Sequence, residues 1–192
     1  MRAAGLWEQV VKAIQEFFAN RKQKKAEKFA KTIANAKAIK DDRWAAIHFF
    51  ADLEDVEAAV PRLLKRFDFS LEHGINDIRE KEACLEGIVA YGEPALPLIR
   101  DHLLATTRIA WPIKTLKAFD KDEQAVEILK EALNFGDVTF DQFQVDKNFD
   151  ILCYLAEYQI GDFVDKVKVF LTDKDERVRF AAVELLIAQE NN

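Results

Sequence analysis

The sequence predicts an all-α protein in which the helices follow one another in pairs. Three observations lead to this prediction. Apolar residues recur at steps of three and four along most of the 192 residues, which is the spacing of one helix face. Only six Gly and four Pro are present, which leaves few turn formers for a protein of many strands. Charged residues make up 32% of the chain and alternate with Ala and Leu, a composition that favours helices.

The last predicted helix shows the pattern most completely. Its apolar stripe at helical spacing is formed by Val178, Ala182, Leu185 and Leu186. Asp173 precedes the stripe and Glu176 follows three residues later, which is the spacing of a capping box that would begin this helix. Ala181 and Ala182 are small, so a neighbouring helix is expected to approach closely here.

The remainder of the chain divides into predicted helix pairs. First helices are predicted to start near residues 21, 54, 94, 121 and 161, and second helices near residues 41, 77, 107, 146 and 175. The mean spacing of roughly 35 residues lies in the range of repeats that stack into solenoids. Asp77 with Glu80 and Asp120 with Glu123 are interpreted as further capping boxes. The Gly92-Glu93-Pro94 segment marks the end of one helix and the beginning of the next.

Two segments resemble HEAT repeats of the short, lyase-associated type found in bacterial proteins. Asp173 and Arg179 fit the pattern D-x-x-x-x-V-R found where the second helix of a HEAT repeat begins, and AYGEPALPLI at 90–99 is similar to the joint between two repeats. The resemblance covers about residues 41–189. It implies a right-handed α-solenoid of about five helix pairs, in which Asp173 and Arg179 are structural and link successive repeats. Relatives of this type act mainly as protein-binding scaffolds or as accessory factors to enzymes.

Residues 1–40 differ from the rest of the chain in charge. They hold ten Lys or Arg and three Asp or Glu, a net charge of +7, which leaves −13 for residues 41–192 of a chain whose total is −6. Their apolar stripe is formed by Leu6, Trp7, Val10, Val11, Ile14, Phe17 and Phe18. Asn20 is interpreted as a break or cap, with 22–38 forming a second helix or continuing the first. Three interpretations stay open for 1–40: a helical cap packed on the solenoid of 41–192 as one domain, an amphipathic helix on an anionic membrane, or a contact with another protein or a second copy.

No residue pattern typical of a catalytic or metal centre is found in the sequence. His48, His73 and His102 each lack a second metal ligand at helical spacing, and Cys84 and Cys153 stand alone. We therefore expect no enzymatic activity, no cofactor and no metal. The two cysteines are expected to be reduced thiols, and no secretory signal or membrane span is apparent, so the predicted location is the cytoplasm.

Glu80 and Glu82 are interpreted as carboxylates of a solvated helix face rather than as an acid–base pair.

Acidic residues weigh against nucleic acid as a partner. Because HEAT-like repeats also build a class of DNA glycosylases, a nucleic-acid-binding protein of that type is an alternative. Such proteins need a basic surface for the phosphates, whereas 41–192 carries a net charge of −13.

Trp111 is the main candidate for contact with a partner. The core stripe of the predicted helix 107–119 is formed by Ile109, Ile113, Leu116 and Phe119. Trp111 lies about 200° around the helix from Ile109, on the face that carries Arg108 and Lys114. Trp and Arg are the residues most often found at binding hot spots. Trp111, Arg108 and Lys114 therefore anchor an acidic or peptide partner, or Trp111 packs against the next repeat.

Two long connections provide a second candidate surface. Residues 67–76 and 135–145 are each about ten residues long, longer than the two to eight usual between packed helices. Phe69, Phe140 and Phe143 either cover the core or form a partner-binding edge. The predicted function is thus a non-catalytic scaffold, monomeric or weakly dimeric, that binds a protein or peptide through its concave helix face or this edge. A membrane-tethered adaptor that uses 1–40 is the first alternative.

Overall fold

The computed structural model describes residues 2–136 and 141–190, and all their side chains except those of 2–11, 13–15, 18 and 19. Throughout this part of the chain every regular element is helical and no strand occurs, which confirms the predicted all-α class. The α-helices are α1 (Arg2–Ile33), α2 (Lys40–Ala51), α3 (Val56–Leu64), α4 (Gly74–Ala90), α5 (Leu96–Ala105), α6 (Ala110–Lys117), α7 (Asp122–Ala132), α8 (Gln142–Leu155), α9 (Val164–Val167) and α10 (Glu176–Glu190). Short 3-10 helices cover Lys65–Asp68, Glu93–Ala95, Gly161–Phe163 and Lys168–Thr172.

The helices pack on elements that are close to them in the chain. Several even-numbered helices contact one another, α2 with α4, α4 with α6, and α8 with α10. Odd-numbered helices do the same, α3 with α5 and α5 with α7. Consecutive helices also contact each other, for example α2 with α3 and α6 with α7. A single core of buried aliphatic and aromatic side chains connects these helices, from Ile33 of α1 to Leu185 of α10.

The contact between α2 and α4 is unusually close at Gly87. A Cβ atom at this position would lie 2.9 Å from the Cβ of Ala51, a distance that real Cβ atoms essentially never show. Gly87 is buried in the middle of α4, where glycine is intrinsically unfavourable by about 1 kcal/mol relative to alanine. The close approach of the two helices therefore accounts for a glycine at this position.

The N-terminal segment forms one helix, the continuation that the sequence left open, and Asn20 neither breaks nor caps it. Phe29, Ala30 and Ile33 pack into the core, and α1 contacts α2 and α3. In contrast, the side chains of residues 20–25 are all exposed. Asn has only a modest helix penalty, so a single one inside a long run of Lys, Glu and Ala does not end a helix.

The predicted capping box at Asp77 and Glu80 is wrong. The helix begins at Gly74, three residues before Asp77, and both carboxylates are buried and take part in ion pairs. The box at Asp120 and Glu123 is also wrong, because α7 begins after Lys121 without a side-chain cap. Asp120 instead adopts the left-handed conformation with φ 53°, after α6 has ended.

The cap of α10 is displaced from the predicted position. The carboxylate of Asp175 accepts a hydrogen bond from the Arg177 N–H at 2.8 Å, directly at the start of the helix. Asp173 lies two residues earlier in the chain, and its carboxylate accepts a hydrogen bond from the Asp175 N–H at 2.9 Å. The Arg177 guanidinium bonds to the Asp175 carboxylate and holds the pKa of that group below its usual value. Asp175 is therefore the helix-capping residue.

Candidate functional site

Trp111 lies in the first turn of α6 and is partly buried against the core. Its ring stacks on Phe67, with 5.8 Å between the ring centroids and 22° between the planes. The Nζ atom of Lys114 lies 4.5 Å from the centroid of the Trp111 ring, and that of Lys81 lies 5.9 Å from it. Trp111 thus packs on the protein and also keeps an accessible ring beside two ammonium groups, an arrangement that favours cation–π attraction.

A cleft of about 310 Å³ opens beside this ring. Its lining includes Phe67, Ser70, Lys81, Arg108, Trp111 and Asp150. Arg108 is exposed, and its guanidinium has no partner among the described residues. The N-terminus of α6 carries no side-chain cap, so its first N–H groups add positive potential on the same side.

One wall of the cleft is supported by five charged residues, which we call the buried ionic network: Arg43, Arg66, Asp77, Glu80 and Lys81. Glu80 and Arg66 are both 0% exposed. The Glu80 carboxylate accepts hydrogen bonds from Nε and Nη2 of Arg43 at 2.9 and 3.0 Å, and from Nε of Arg66 at 2.8 Å. Asp77 accepts from Arg66 Nη2 at 2.7 Å and from Lys81 Nζ at 2.8 Å. Three cations face two carboxylates, so the network carries one excess positive charge.

The network holds Lys81 in position at the cleft. Burial alone would raise the pKa of Asp77, but hydrogen bonds from Lys81, Arg66 and the Leu71 N–H outweigh it and hold that pKa below its usual value. Asp77 is therefore ionised at neutral pH and keeps Lys81 fixed near the ring of Trp111. The interpretation of Glu80 as part of a solvated face is wrong, because its carboxylate lies inside the fold.

Lys147 is a further buried cation, outside the network, that the sequence reasoning missed. It is 2% exposed, and its Nζ donates to the carbonyl oxygens of Leu103 and Thr106, the latter at 2.9 Å. These carbonyls belong to the end of α5, where a positive charge is favourable. Burial lowers the pKa of Lys147. Its hydrogen bonds fix the segment that leads from α5 into Arg108 and Trp111.

The structure brings three of the predicted site residues together and separates the others. Arg108 and Lys114 lie at Trp111, as described above. Phe69 is half-buried beneath the guanidinium of Arg66, whose carbon lies 4.4 Å from the ring centroid. Phe143, in the first turn of α8, is 61% exposed. In the described part of the chain no ring contact connects Phe143 with Phe69 or Trp111, and Phe140 lies outside the described residues.

Asp173 and Arg179 make a contact that is local to the loop before α10. Nη1 of Arg179 donates to the carbonyl oxygens of Asp173 and Lys174, at 2.8 and 3.0 Å. The Arg179 guanidinium thus binds backbone rather than the Asp173 carboxylate. Because the Asp173 side chain bonds to Asp175, the whole arrangement orders the turn into the last helix.

Three basic residues of the even-numbered helices pair with carboxylates of other elements. Nζ of Lys114 lies 3.8 Å from Oε1 of Glu82, and Nζ of Lys117 lies 2.9 Å from Oε2 of Glu157. Arg177 similarly pairs with a carboxylate of α8, at 2.9 Å. These ion pairs join α4 to α6, α6 to the segment that follows α8, and α8 to α10, and they leave Arg108 as an exposed cation at the cleft.

The described residues were considered for a metal site and for a membrane-spanning helix, and they contain neither. No group of three or more His, Cys, Asp or Glu is arranged to hold a metal ion there. Among the described helices, none is both long and apolar enough to cross a membrane.

Comparison of the chain with protein-family models, with curated proteins and with solved structures finds no match.

Proposed function

We propose that the chain is a HEAT-type α-solenoid and serves as a scaffold that holds an acidic segment of a partner protein in the cleft beside Trp111. The observation that carries the proposal is the partly exposed Trp111 ring, whose centroid lies 5.9 and 4.5 Å from the Nζ atoms of Lys81 and Lys114 respectively and which lines the same cleft as Arg108.

The contacts between helices support the solenoid part of the proposal. In a solenoid each helix pair packs mainly on the pairs before and after it, and stability comes from these nearest-neighbour interfaces. The contacts of α2 with α4, α4 with α6, α3 with α5 and α5 with α7 are of this kind and support the proposal. Surfaces that are built from several successive helices are what such proteins use to bind other proteins.

Charge and shape support an acidic partner. Arg108 and the uncapped start of α6 place positive potential on one side of the cleft, and the buried ionic network, of which Lys81 is the member that lines the cleft, carries one excess positive charge. Arg is suited to bidentate binding of a carboxylate. The stacked rings of Trp111 and Phe67 offer apolar surface to the side chains that flank such a carboxylate. Asp150 on the opposite wall disfavours groups of high negative charge.

A nucleic-acid partner is less well supported. Phosphate binding requires a run of cations that are free to replace counterions. On the even-numbered helices Lys114, Lys117 and Arg177 form ion pairs with the carboxylates of Glu82, Glu157 and Asp146 respectively. A single exposed arginine beside an aromatic ring is better matched to one carboxylate of a protein segment.

The experiment compares three forms of the protein as baits in a native lysate. Wild type is set against a cleft variant, Arg108→Glu with Lys114→Glu, and against an edge variant, Phe143→Ala. All three substituted side chains are exposed, so the fold is expected to persist, which circular dichroism and thermal unfolding check. Each captured protein is then measured again with purified components.

A partner of the cleft is retained by wild type and by Phe143→Ala and is lost from the cleft variant. Truncation of a hot-spot residue typically costs 2 kcal/mol or more, so we expect the Kd to rise by about 30-fold or more. A partner that is lost only from Phe143→Ala would place the binding surface at the start of α8. Equal binding by all three forms would refute the proposed site.

A further inference from the structure

A groove between α5 and α7 forms a second surface, separate from the Trp111 cleft. It has a volume of about 550 Å³ and is lined by apolar Leu96, Pro97 and Ile128, by acidic Glu93, Glu123 and Glu127, and by Arg100 and Gln124. Leu96 and Ile128 belong to the buried core, so the floor of the groove is continuous with the packed interior. An apolar floor with a charged rim is the form that receives one face of an amphipathic helix.

Carboxylates outnumber cations in the lining of the groove by three to one. Residues 93–105 and 120–132, which include α5 and α7, hold seven Asp or Glu and three Lys or Arg, a net charge of −4. The three cations, Arg100, Lys121 and Lys130, are already engaged by Glu131, Glu93 and Glu127 respectively. Glu123 has no ion-pair partner in the described part of the chain. A ligand that matches this groove is therefore basic.

The chain itself carries a helix of the matching charge. Residues 1–40 have a net charge of +7. The cations of α1 that follow Asn20 are all exposed, namely Arg21, Lys22, Lys24, Lys25, Lys28 and Lys31. Within its own chain, α1 packs on α2 and α3 through its last two turns. At 32 residues it is about 48 Å long, so most of its length lies before those turns.

From this charge complementarity we propose that α1 of one copy lies in the groove between α5 and α7 of a second copy. The exchange is reciprocal, so that each copy supplies one helix and one groove and the two contacts are related by two-fold symmetry. Lys24 and Lys28, one turn apart on α1, face the carboxylates of Glu123 and Glu127 on α7. This proposal does not depend on the Trp111 cleft, and either one can fail without the other.

The experiment measures the mass of the full chain by sedimentation velocity at about 50 mM and about 500 mM salt, where the Debye length falls from about 14 Å to about 4 Å. Wild type is expected to be dimeric at low salt and to dissociate at high salt, with a rise in Kd of about tenfold or more. A groove variant, Glu123→Lys with Glu127→Lys, and a helix variant, Lys24→Glu with Lys28→Glu, are each expected to be monomeric. A control, Glu72→Lys with Glu190→Lys, makes the same charge change as the groove variant at exposed sites elsewhere and keeps the dimer.

The decisive sample is the equimolar mixture of the groove variant and the helix variant. In a dimer of either variant alone, the helix and the groove that it enters carry charges of the same sign. In a mixed dimer both helix–groove contacts join opposite charges, so the mixture is expected to dimerise. A mixture that stays monomeric overturns the proposal, as does a wild type that is monomeric at both salt concentrations. Salt-sensitive binding of a monomeric wild type to vesicles of anionic lipid would assign the basic helix to a membrane surface instead. A dimer that the groove variant leaves intact would place the interface elsewhere.

Discussion

Substitution of Glu80 by Gln is predicted to destabilise the fold strongly. The carboxylate is fully buried and accepts three hydrogen bonds from two guanidinium groups, those of Arg43 and Arg66. Glutamine keeps one carbonyl oxygen but removes the charge and turns an NH₂ group toward the cations. Breaking a buried ion pair from one side costs about 3–5 kcal/mol, because the remaining charge stays buried without compensation.

This loss is a large part of the stability of a domain, which is typically about 5–15 kcal/mol. For a chain of this size each kcal/mol lowers the melting temperature by about 2–4 °C, so a decrease of about 6–20 °C is expected. Urea unfolding at neutral pH measures the free energy directly, and the slope of the transition checks that the unfolded state is unchanged. The matched control is Glu82→Gln, which removes the same charge two residues later on the solvent side of α4.

The control is expected to change the free energy of unfolding by less than about 0.5 kcal/mol, because the ion-pair partner of Glu82 among the described residues is exposed Lys114, at 3.8 Å. A cost below about 1 kcal/mol for Glu80→Gln would refute the reasoning, since the buried charges would then be compensated by other means.

Three further predictions concern the fold. Gly87→Ala is expected to cost about 1–3 kcal/mol because its Cβ has no room against α2, whereas Gly74→Ala, with nothing within 4 Å, is expected to be neutral or stabilising in the same urea assay. Asp175→Ala is expected to cost about 1 kcal/mol through loss of the α10 cap and to be more harmful than Asp173→Ala; the reverse order would restore Asp173 as the cap. The pKa of Asp77 is lower in the folded than in the unfolded chain, so its contribution to stability is present above about pH 4 and is lost as the pH falls through the folded value. As the pH is lowered through that range, the free energy of unfolding should therefore fall less steeply for Asp77→Asn than for wild type.

The sequence predicts the helices well where turn chemistry marks their ends. The Gly92-Glu93-Pro94 segment separates α4 from α5 as expected, because Gly92 adopts a positive φ of 68° and Pro94 begins the next helical turn. The caps were less predictable. Asp173 and Asp175 both stand before α10, and the choice between them depends on where the backbone enters the helix rather than on residue type.

The buried ionic network shows why part of the site was missed. Glu80 lies four and eight residues before Cys84 and Ile88, so it shares their core-facing stripe on α4, and this spacing was available in the sequence. What the spacing does not provide is the partner, because Arg43 and Arg66 come from other elements of the chain. Trp111 was predicted to be either buried or exposed. Its large ring does both, since one part stacks on Phe67 and the rest borders the cleft.

The most direct test of the central claim is a fluorescence titration of Trp111 itself. The chain has three tryptophans, so Trp7→Phe with Trp44→Phe leaves Trp111 as the only one. An oligoglutamate peptide is expected to change the emission of this protein in a saturable, salt-sensitive manner, and the change should be lost when Arg108→Glu is added. If oligoglutamate produces no saturable change at low salt, or if oligolysine produces the same change, the cleft beside Trp111 is not a site for acidic segments.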